Sequence, residues 1–219
     1  MILENKITLV TGGSAGIGKA IVLKYLQEGA IVVTTARHKE RLDRLIELTD
    51  KKDRLFLVKS DVGNKEDIDS LLCFVQERFG RLDILVNNAG VMDGMEPVAD
   101  VSDAVWQKLL DVNLTGPFML CRGAVKMMLA QEEKGVIINI ASGGGIGGGR
   151  AGAAYTASKF GLVGLSRNIA YMYGPDGIRC NVICPGGVAT EIKMENVNEV
   201  GWQRVAKGTQ AIRMGQPEE

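Results

Sequence analysis

The stretch "KITLVTGGSAGIG", Lys6 to Gly18, holds a strand, a turn and the start of a helix in one short run. "KITLV" is too brief for a helix. It is continuous rather than alternating in its apolar residues, as strands covered on both faces are. Gly12, Gly16 and Gly18 follow at once. In that position they let the chain turn tightly, bring backbone N–H groups close to an anion such as a pyrophosphate, and let the next helix pack on the sheet with its N-terminus facing that anion. The spacing is G-x-x-x-G-x-G, not the G-x-G-x-x-G of the commoner dinucleotide fingerprint. A glycine-rich turn alone is weak evidence, so its place directly after the first strand carries the inference.

Similar runs recur as "AIVVTT" to Thr35, "RLFLV" to Val58, "LDILV" to Val86, "GVIINI" to Ile140 and "IRCNVI" to Ile183. Helical patterns lie between them. The clearest starts after Asn64, where Asn64 and Asp67 have the spacing of an N-cap and its N3 acid, and Ile68, Leu71, Leu72 and Val75 follow at helical period. Residues Asp103 to Asn113 and Gly123 to Gln131 read the same way. Regular strand–helix alternation predicts an α/β fold: a doubly wound parallel sheet of the Rossmann type, three layers thick, with right-handed crossovers, forming a single domain over 1–219. Ligands of such sheets bind outside the carboxyl ends of the strands.

Composition supports an ordinary globular chain. Of the 219 residues 46% are apolar and 24% charged, enough for a sizeable core. Lys plus Arg equals Asp plus Glu at 26 each, so no overall field draws the chain to nucleic acid or an anionic membrane. The N-terminus lacks the pattern of a secretory signal, and no apolar run reaches the roughly 18 residues of a membrane span. The expectation is a soluble, cytoplasmic protein. Cys73, Cys121, Cys180 and Cys184 form no C-x-x-C pair, and His38 is the sole histidine. No metal site is expected from that set, and Ser-His-Asp or Cys-His chemistry is disfavoured.

The turn after each strand then decides chemistry. After the second strand stands Arg37, with His38 and Lys39 beside it and no acid before Glu40. An acid there would accept from a ribose 2′-hydroxyl, whereas arginine would pair with a 2′-phosphate, which favours NADP(H) while leaving NAD(H) open. After the third strand comes Asp61-Val62, after the fourth "NNAG" ending at Gly90, after the fifth Ser142, and after the sixth "CPGGVAT", Cys184 to Thr190. These turns should line one groove along one edge of the sheet. Tyr155 and Lys159 are four residues apart, so on a helix they share a face. An ammonium about 4 Å from a phenol contributes on the order of 4 kcal/mol at an effective dielectric near 20, which would lower the phenol's titration by roughly three pH units.

Together "TGGSAGIG", Asp61-Val62, "NNAG", Asn113 in "DVNLTG", Ser142, "YTASK" and "PGGVAT" resemble the short-chain dehydrogenase/reductase family, over nearly the whole chain and in the family's order. Among its branches the sequence looks most like the 3-oxoacyl-[acyl-carrier-protein] reductases. The resemblance implies hydride exchange between nicotinamide C4 and a carbonyl or secondary alcohol, with a 3-oxoacyl thioester or similar ketone as substrate. It implies Tyr155 as proton donor or acceptor, Ser142 as hydrogen-bond partner of the substrate oxygen, Lys159 as the group that lowers the tyrosine pKa and holds the nicotinamide ribose, and Asn113 as holder of a water leading to Lys159. By the same resemblance Gly12, Ser14, Gly16, Ile17 and Gly18 line the phosphate turn, Asp61 and Val62 the adenine, Asn88, Ala89 and Gly90 the ribose, and Pro185, Gly186, Val188 and Thr190 the nicotinamide end.

The run Gly143 to Gly149 has six glycines in seven residues. It should form a roomy wall of the substrate pocket, with specificity falling to Val91–Val98 and to a substrate loop or lid over roughly 186–210. The competing reading is that these glycines only satisfy turn geometry. Family members usually continue beyond a segment like "RMGQPEE" with another helix and a last edge strand, so that strand is expected to be missing. Small residues at Ala157, Ser158, Gly161 and Gly164 would admit a neighbouring helix, and a homodimer or homotetramer is expected. Two alternatives stay open: an NAD(P)-dependent alcohol or sugar dehydrogenase, and a non-catalytic nucleotide-binding regulator, which Tyr155 and Lys159 disfavour.

Overall fold

A computed structural model describes residues 1–209 and 213–219. Its strands are β1 (Ile7–Thr11), β2 (Ile31–Ala36), β3 (Leu55–Lys59), β4 (Ile84–Asn87), β5 (Val136–Ile140) and β6 (Arg179–Ile183). They form one parallel sheet in the order β3-β2-β1-β4-β5-β6. Each strand overlaps an expected run. The order reverses at β1, where the next strand in sequence on one side is β2 and the neighbour on the other is β4, so the crevice expected for a ligand opens between those two strand ends. Among the described residues no seventh strand extends the sheet beyond β6.

The helices are α1 (Gly16–Gln27), α2 (Lys39–Asp43), α3 (Lys65–Phe79), α4 (Asp103–Leu110), α5 (Gly116–Ala130), α6 (Ala153–Tyr173) and α7 (Glu199–Thr209). Adjacent residues of β1 explain why its sequence is continuously apolar. Leu9 packs in the cluster shared with α3, α5 and α6, Val10 in the cluster shared with α1 and α2, and neither is exposed at all. A strand buried on both faces needs apolar side chains at every position.

Helix α3 starts as its sequence predicts. The Asn64 side chain accepts from Asp67 N at 3.0 Å, and Ile68, Leu71 and Val75 point into the core. The segment expected to be helical from Asp103 to Asn113 differs. The α-helix stops at Leu110 and a π-turn occupies Asp111–Thr115 before α5 takes over with Pro117 in its first turn. Inserting one residue into the helical ladder in this way redirects side chains, here carrying Asn113 into the interior. No helix of the described residues is long and apolar enough to cross a membrane.

Candidate active site

The first turn is tied to the segment that follows β4. Thr11 Oγ1 accepts from both Asn88 N and Ala89 N at 3.0 Å, while Asn88 Nδ2 donates to the carbonyls of Thr11 (3.0 Å) and Gly12 (3.2 Å). Gly12 turns the chain with φ +69°, a left-handed conformation that glycine adopts without strain. A Cβ at Gly18 would collide with both the Gly12 carbonyl and the Asn88 amide. The Asn88 side chain therefore holds the turn, while Ala89 and Gly90 lie beside it at the expected ribose end.

The N-terminus of α1 already accommodates an anion. Gly16 N donates to Glu191 Oε2 at 2.9 Å, and Lys19 Nζ lies 3.9 Å from the other carboxylate oxygen. A backbone N–H aligned with the helix dipole would suit a pyrophosphate in place of this carboxylate, and Ser14 and Ile17 stand in the same turn. Thr190, next to Glu191, is so close that a Cβ on Gly16 would meet its methyl at 2.9 Å. These residues fit the phosphates of a dinucleotide.

At the far end Arg37 is exposed immediately after β2. Its neighbour Lys39 pairs with Asp43 at 2.9 Å, and His38 precedes α2. The chain after β3 is adjacent, with Ser60 N donating to the Ala36 carbonyl. Asp61 Oδ1 accepts from Gly63 N at 2.8 Å, its backbone N donates to Asp67, and Val62 is buried. Arg37, Asp61 and Val62 thus share one end of the groove.

At the other end Ser142, Tyr155, Lys159 and Asn113 come together. Ser142 follows β5; its Oγ accepts from Gly144 N at 3.0 Å, and its hydroxyl is close enough to the Tyr155 side chain to act on that phenol's titration. Lys159, one turn beyond Tyr155 on α6, donates from Nζ to the Ile140 carbonyl at 3.0 Å, 5.6 Å from the tyrosine ring centre. Asn113 accepts from Val91 N and donates to Val91 O, both at 2.9 Å, and donates to Ser158 Oγ at 3.2 Å. Gly90 is where the two meet. A Cβ there would lie 3.3 Å from Asn113 Oδ1 and 3.5 Å from Lys159 Nζ.

The electrostatics correct one expectation. The Tyr155 pKa is raised, not lowered: burial disfavours the phenolate, the nearby Ser142 hydroxyl works the other way, and the charge of Asp93 adds to the rise. Lys159 is itself buried, and the loss of water lowers its pKa to about 8. With its Nζ turned to the Ile140 carbonyl, Lys159 does not offset the effect of burial on Tyr155.

In the glycine run, no residue has the left-handed φ that would demand glycine. Gly145 is required for another reason. A Cβ there would sit 2.8 Å from the Lys159 carbonyl, so this glycine lets the loop lie against α6 beneath the site. Gly148 and Gly149 face open space and line a cavity of about 440 Å³ with Met95, Glu96, Thr156 and Arg204. The segment expected as a lid, 186–210, runs from Gly186, where an added Cβ would meet open space, through α7; residue 210 lies outside the described residues. Pro185 O accepts from Gly143 N at 2.7 Å, and Val188 bridges to Gly215. No cluster of three metal-ligating side chains occurs among the described residues.

Asp93 and Glu191 were not singled out from the sequence, and Ser158 was expected only as a small residue admitting a neighbouring helix. Asp93 alone left a visible signal, as an acid isolated in the apolar and small-residue stretch "AGVMDGM".

The profile of the short chain dehydrogenase family matches residues 6–201. A 3beta-hydroxysteroid dehydrogenase 2 from Eggerthella lenta is 43% identical over 100% of this chain and 85% of its own length. A 3beta-hydroxysteroid dehydrogenase from Mediterraneibacter gnavus is 38% identical over 86% of this chain and 68% of its own. Among solved structures, levodione reductase superposes with a TM-score of 0.87 at 29% identity, covering 99% of this chain and 87% of that one. The chain belongs to the short-chain dehydrogenase/reductase family, and is an oxidoreductase acting on hydroxyl and keto groups with a nicotinamide dinucleotide.

Proposed function

We propose that this chain is a cytoplasmic, NADP(H)-dependent oxidoreductase that interconverts a ketone and a secondary alcohol on a bulky apolar substrate of the hydroxysteroid class. The observation that carries it is the convergence of Ser142, Tyr155 and buried Lys159 at one end of the sheet, with a cavity of about 440 Å³ lined by Gly148, Gly149 and the first turn of α6 next to them. The names of the relatives from Eggerthella lenta and Mediterraneibacter gnavus support the steroid. A dinucleotide held by the turn at Gly12–Gly18, by Asn88–Gly90 and by Lys159 would supply or accept the hydride at the carbinol carbon. In reduction Tyr155 gives its proton to the forming alkoxide, while Ser142 hydrogen-bonds the same oxygen where negative charge develops. In oxidation the proton returns from the alcohol to Tyr155. Lys159 holds the nicotinamide ribose and relays the proton onwards past Asn113, whose side chain bridges the Val91 backbone and Ser158.

Arg37 supports NADP(H), since an exposed guanidinium at the end of β2 matches a 2′-phosphate. The segment 186–210 acts as the substrate lid. A 3-oxoacyl thioester is the second reading, supported by Arg204 at the cavity, a cation suited to the phosphate of a carrier-bound acyl chain. Pairing of two or four copies through α5 and α6 is supported by exposed Phe118 and Phe160 and by the open space at Gly164.

One experiment tests the reading. Nicotinamide fluorescence is titrated with NADPH and NADH for the wild type, Arg37→Asp and Tyr155→Phe, and turnover of 3β-hydroxysteroids and 3-oxoacyl thioesters is followed alongside. NADPH should bind more tightly, Arg37→Asp should reverse that order, and Tyr155→Phe should bind cofactor while losing about 10²- to 10⁴-fold in turnover. Tighter NADH binding sinks the NADP(H) reading. Undiminished turnover in Tyr155→Phe sinks the mechanism.

A further inference from the structure

The Asp93 carboxylate is 2% exposed and accepts from three backbone N–H groups: Met95 N (3.1 Å) and Gly152 N (3.1 Å) on Oδ1, and Tyr155 N (2.9 Å) on Oδ2. Those donors come from the loop after β4, the end of the glycine-rich loop and the first turn of α6. Helix α6 has no N-cap side chain of its own, because Gly152 occupies that position. A Cβ at Gly152 would lie 2.5 Å from Asp93 Oδ2 and 2.6 Å from Glu96 N, so the three segments meet here without spare room. Met95 is turned into a left-handed conformation, φ +64°, directly beyond its bond to Asp93. Its side chain packs with Tyr155, Ala154 and Val205 of α7, and its carbonyl lies where any side chain on Gly201 of α7 would collide.

We propose that Asp93 is the positioning residue for Tyr155: it fixes the first turn of α6, and through Met95 makes the placing of the tyrosine depend on how α7 is docked. The proposal rests on the reading of Tyr155 as the proton-transfer group. An acid at a helix N-terminus is favoured by the dipole, and three N–H bonds from three segments hold its side chain in one place. Among the described residues the ionisable groups acting on this pair are Asp93 from the loop after β4, facing Tyr155, and Cys184 after β6, facing Lys159. Losing the Asp93 charge should therefore shift the phenol's titration downwards. A cap that served stability alone would leave kcat of the folded protein in place.

The test uses Asp93→Asn and Asp93→Ala in the full chain, with Tyr155→Phe alongside. Phenolate absorbance is titrated with pH, the Tyr155 signal being the difference from Tyr155→Phe, and NADPH binding and kcat with a 3β-hydroxysteroid or its ketone are measured on the same samples. Asp93→Asn keeps one carbonyl oxygen for the cap. It should bind NADPH within about twofold of the wild type, shift Tyr155 to lower pH and lose about tenfold in kcat, while Asp93→Ala loses on the order of a hundredfold. Should Asp93→Ala fail to fold, Asp93→Asn decides alone. Unchanged Tyr155 titration and kcat in Asp93→Asn overturns the proposal, as does a loss confined to KM or to NADPH binding. If Tyr155→Phe keeps full turnover, it is the reading of Tyr155 that fails.

Discussion

Glu191 sits where a phosphate is expected, with its carboxylate on Gly16 N and near Lys19. An internal anion on a helix N-terminus competes with any external one, and a charge there contributes about 0.3–1 kcal/mol. Glu191→Gln keeps the shape and removes the charge, so NADPH should bind about two- to fivefold more tightly, read by the same fluorescence titration. Weaker binding would mean that Glu191 holds the turn open for the cofactor rather than competing with it. Neither this contact nor the Asp93 cap is written in local sequence, because each joins residues distant along the chain: Gly16 to Glu191, and Asp93 to Tyr155. That Tyr155 and Lys159 share a helix face was legible from their spacing, whereas their roles were implied only by the resemblance of the whole set of motifs. The direction of the tyrosine's titration was not legible, since burial depends on what packs around both groups.

Single elements were legible wherever a local rule governs them. Continuous apolar runs gave all the strands, and Asn64 with Asp67 gave the start of α3. The π-turn at Asp111–Thr115 was hidden because an inserted residue leaves the apolar spacing of the flanking helices nearly intact. The glycine run was legible in composition and divided in purpose. Gly145→Ala should force the loop away from the Lys159 carbonyl, costing about 1–3 kcal/mol in denaturant unfolding and depressing turnover, whereas Gly148→Ala should leave stability within about 0.5 kcal/mol. Equal stabilities for the two variants would show that the loop moves freely against α6. If Gly148→Ala then alters the ratio of rates for small and bulky ketones, the wall reading gains support.

For the molecule as a whole, Lys159 makes stability depend on pH. Its pKa of about 8 lies below that of an unfolded lysine near 10.5, so between those values the unfolded chain binds the extra proton and folding becomes more favourable as pH rises. Below pH 8 that gain, about 3 kcal/mol in full, is absent. Cys121 and Cys180, raised to about 12 and about 11 by burial, act in the opposite sense above pH 9, because the unfolded thiols lose protons first. Lys159→Met should therefore be more stable than the wild type at pH 7, and the difference should shrink by pH 9; a constant difference in urea unfolding would show that Lys159 titrates normally.

The sheet order also has a kinetic side. Strand β1 lies between β2 and β4, and Thr8 pairs with Ile84, 76 residues further on. On a ribosome β1, β2 and β3 emerge together and can pair among themselves, but the other edge of β1 must wait until α3 and β4 have been made. Closing such long loops before any contact rewards them makes parallel sheets slow to fold. Until β4 arrives, the central strand is an open edge, and this is the interval in which the nascent chain most needs protection from its neighbours.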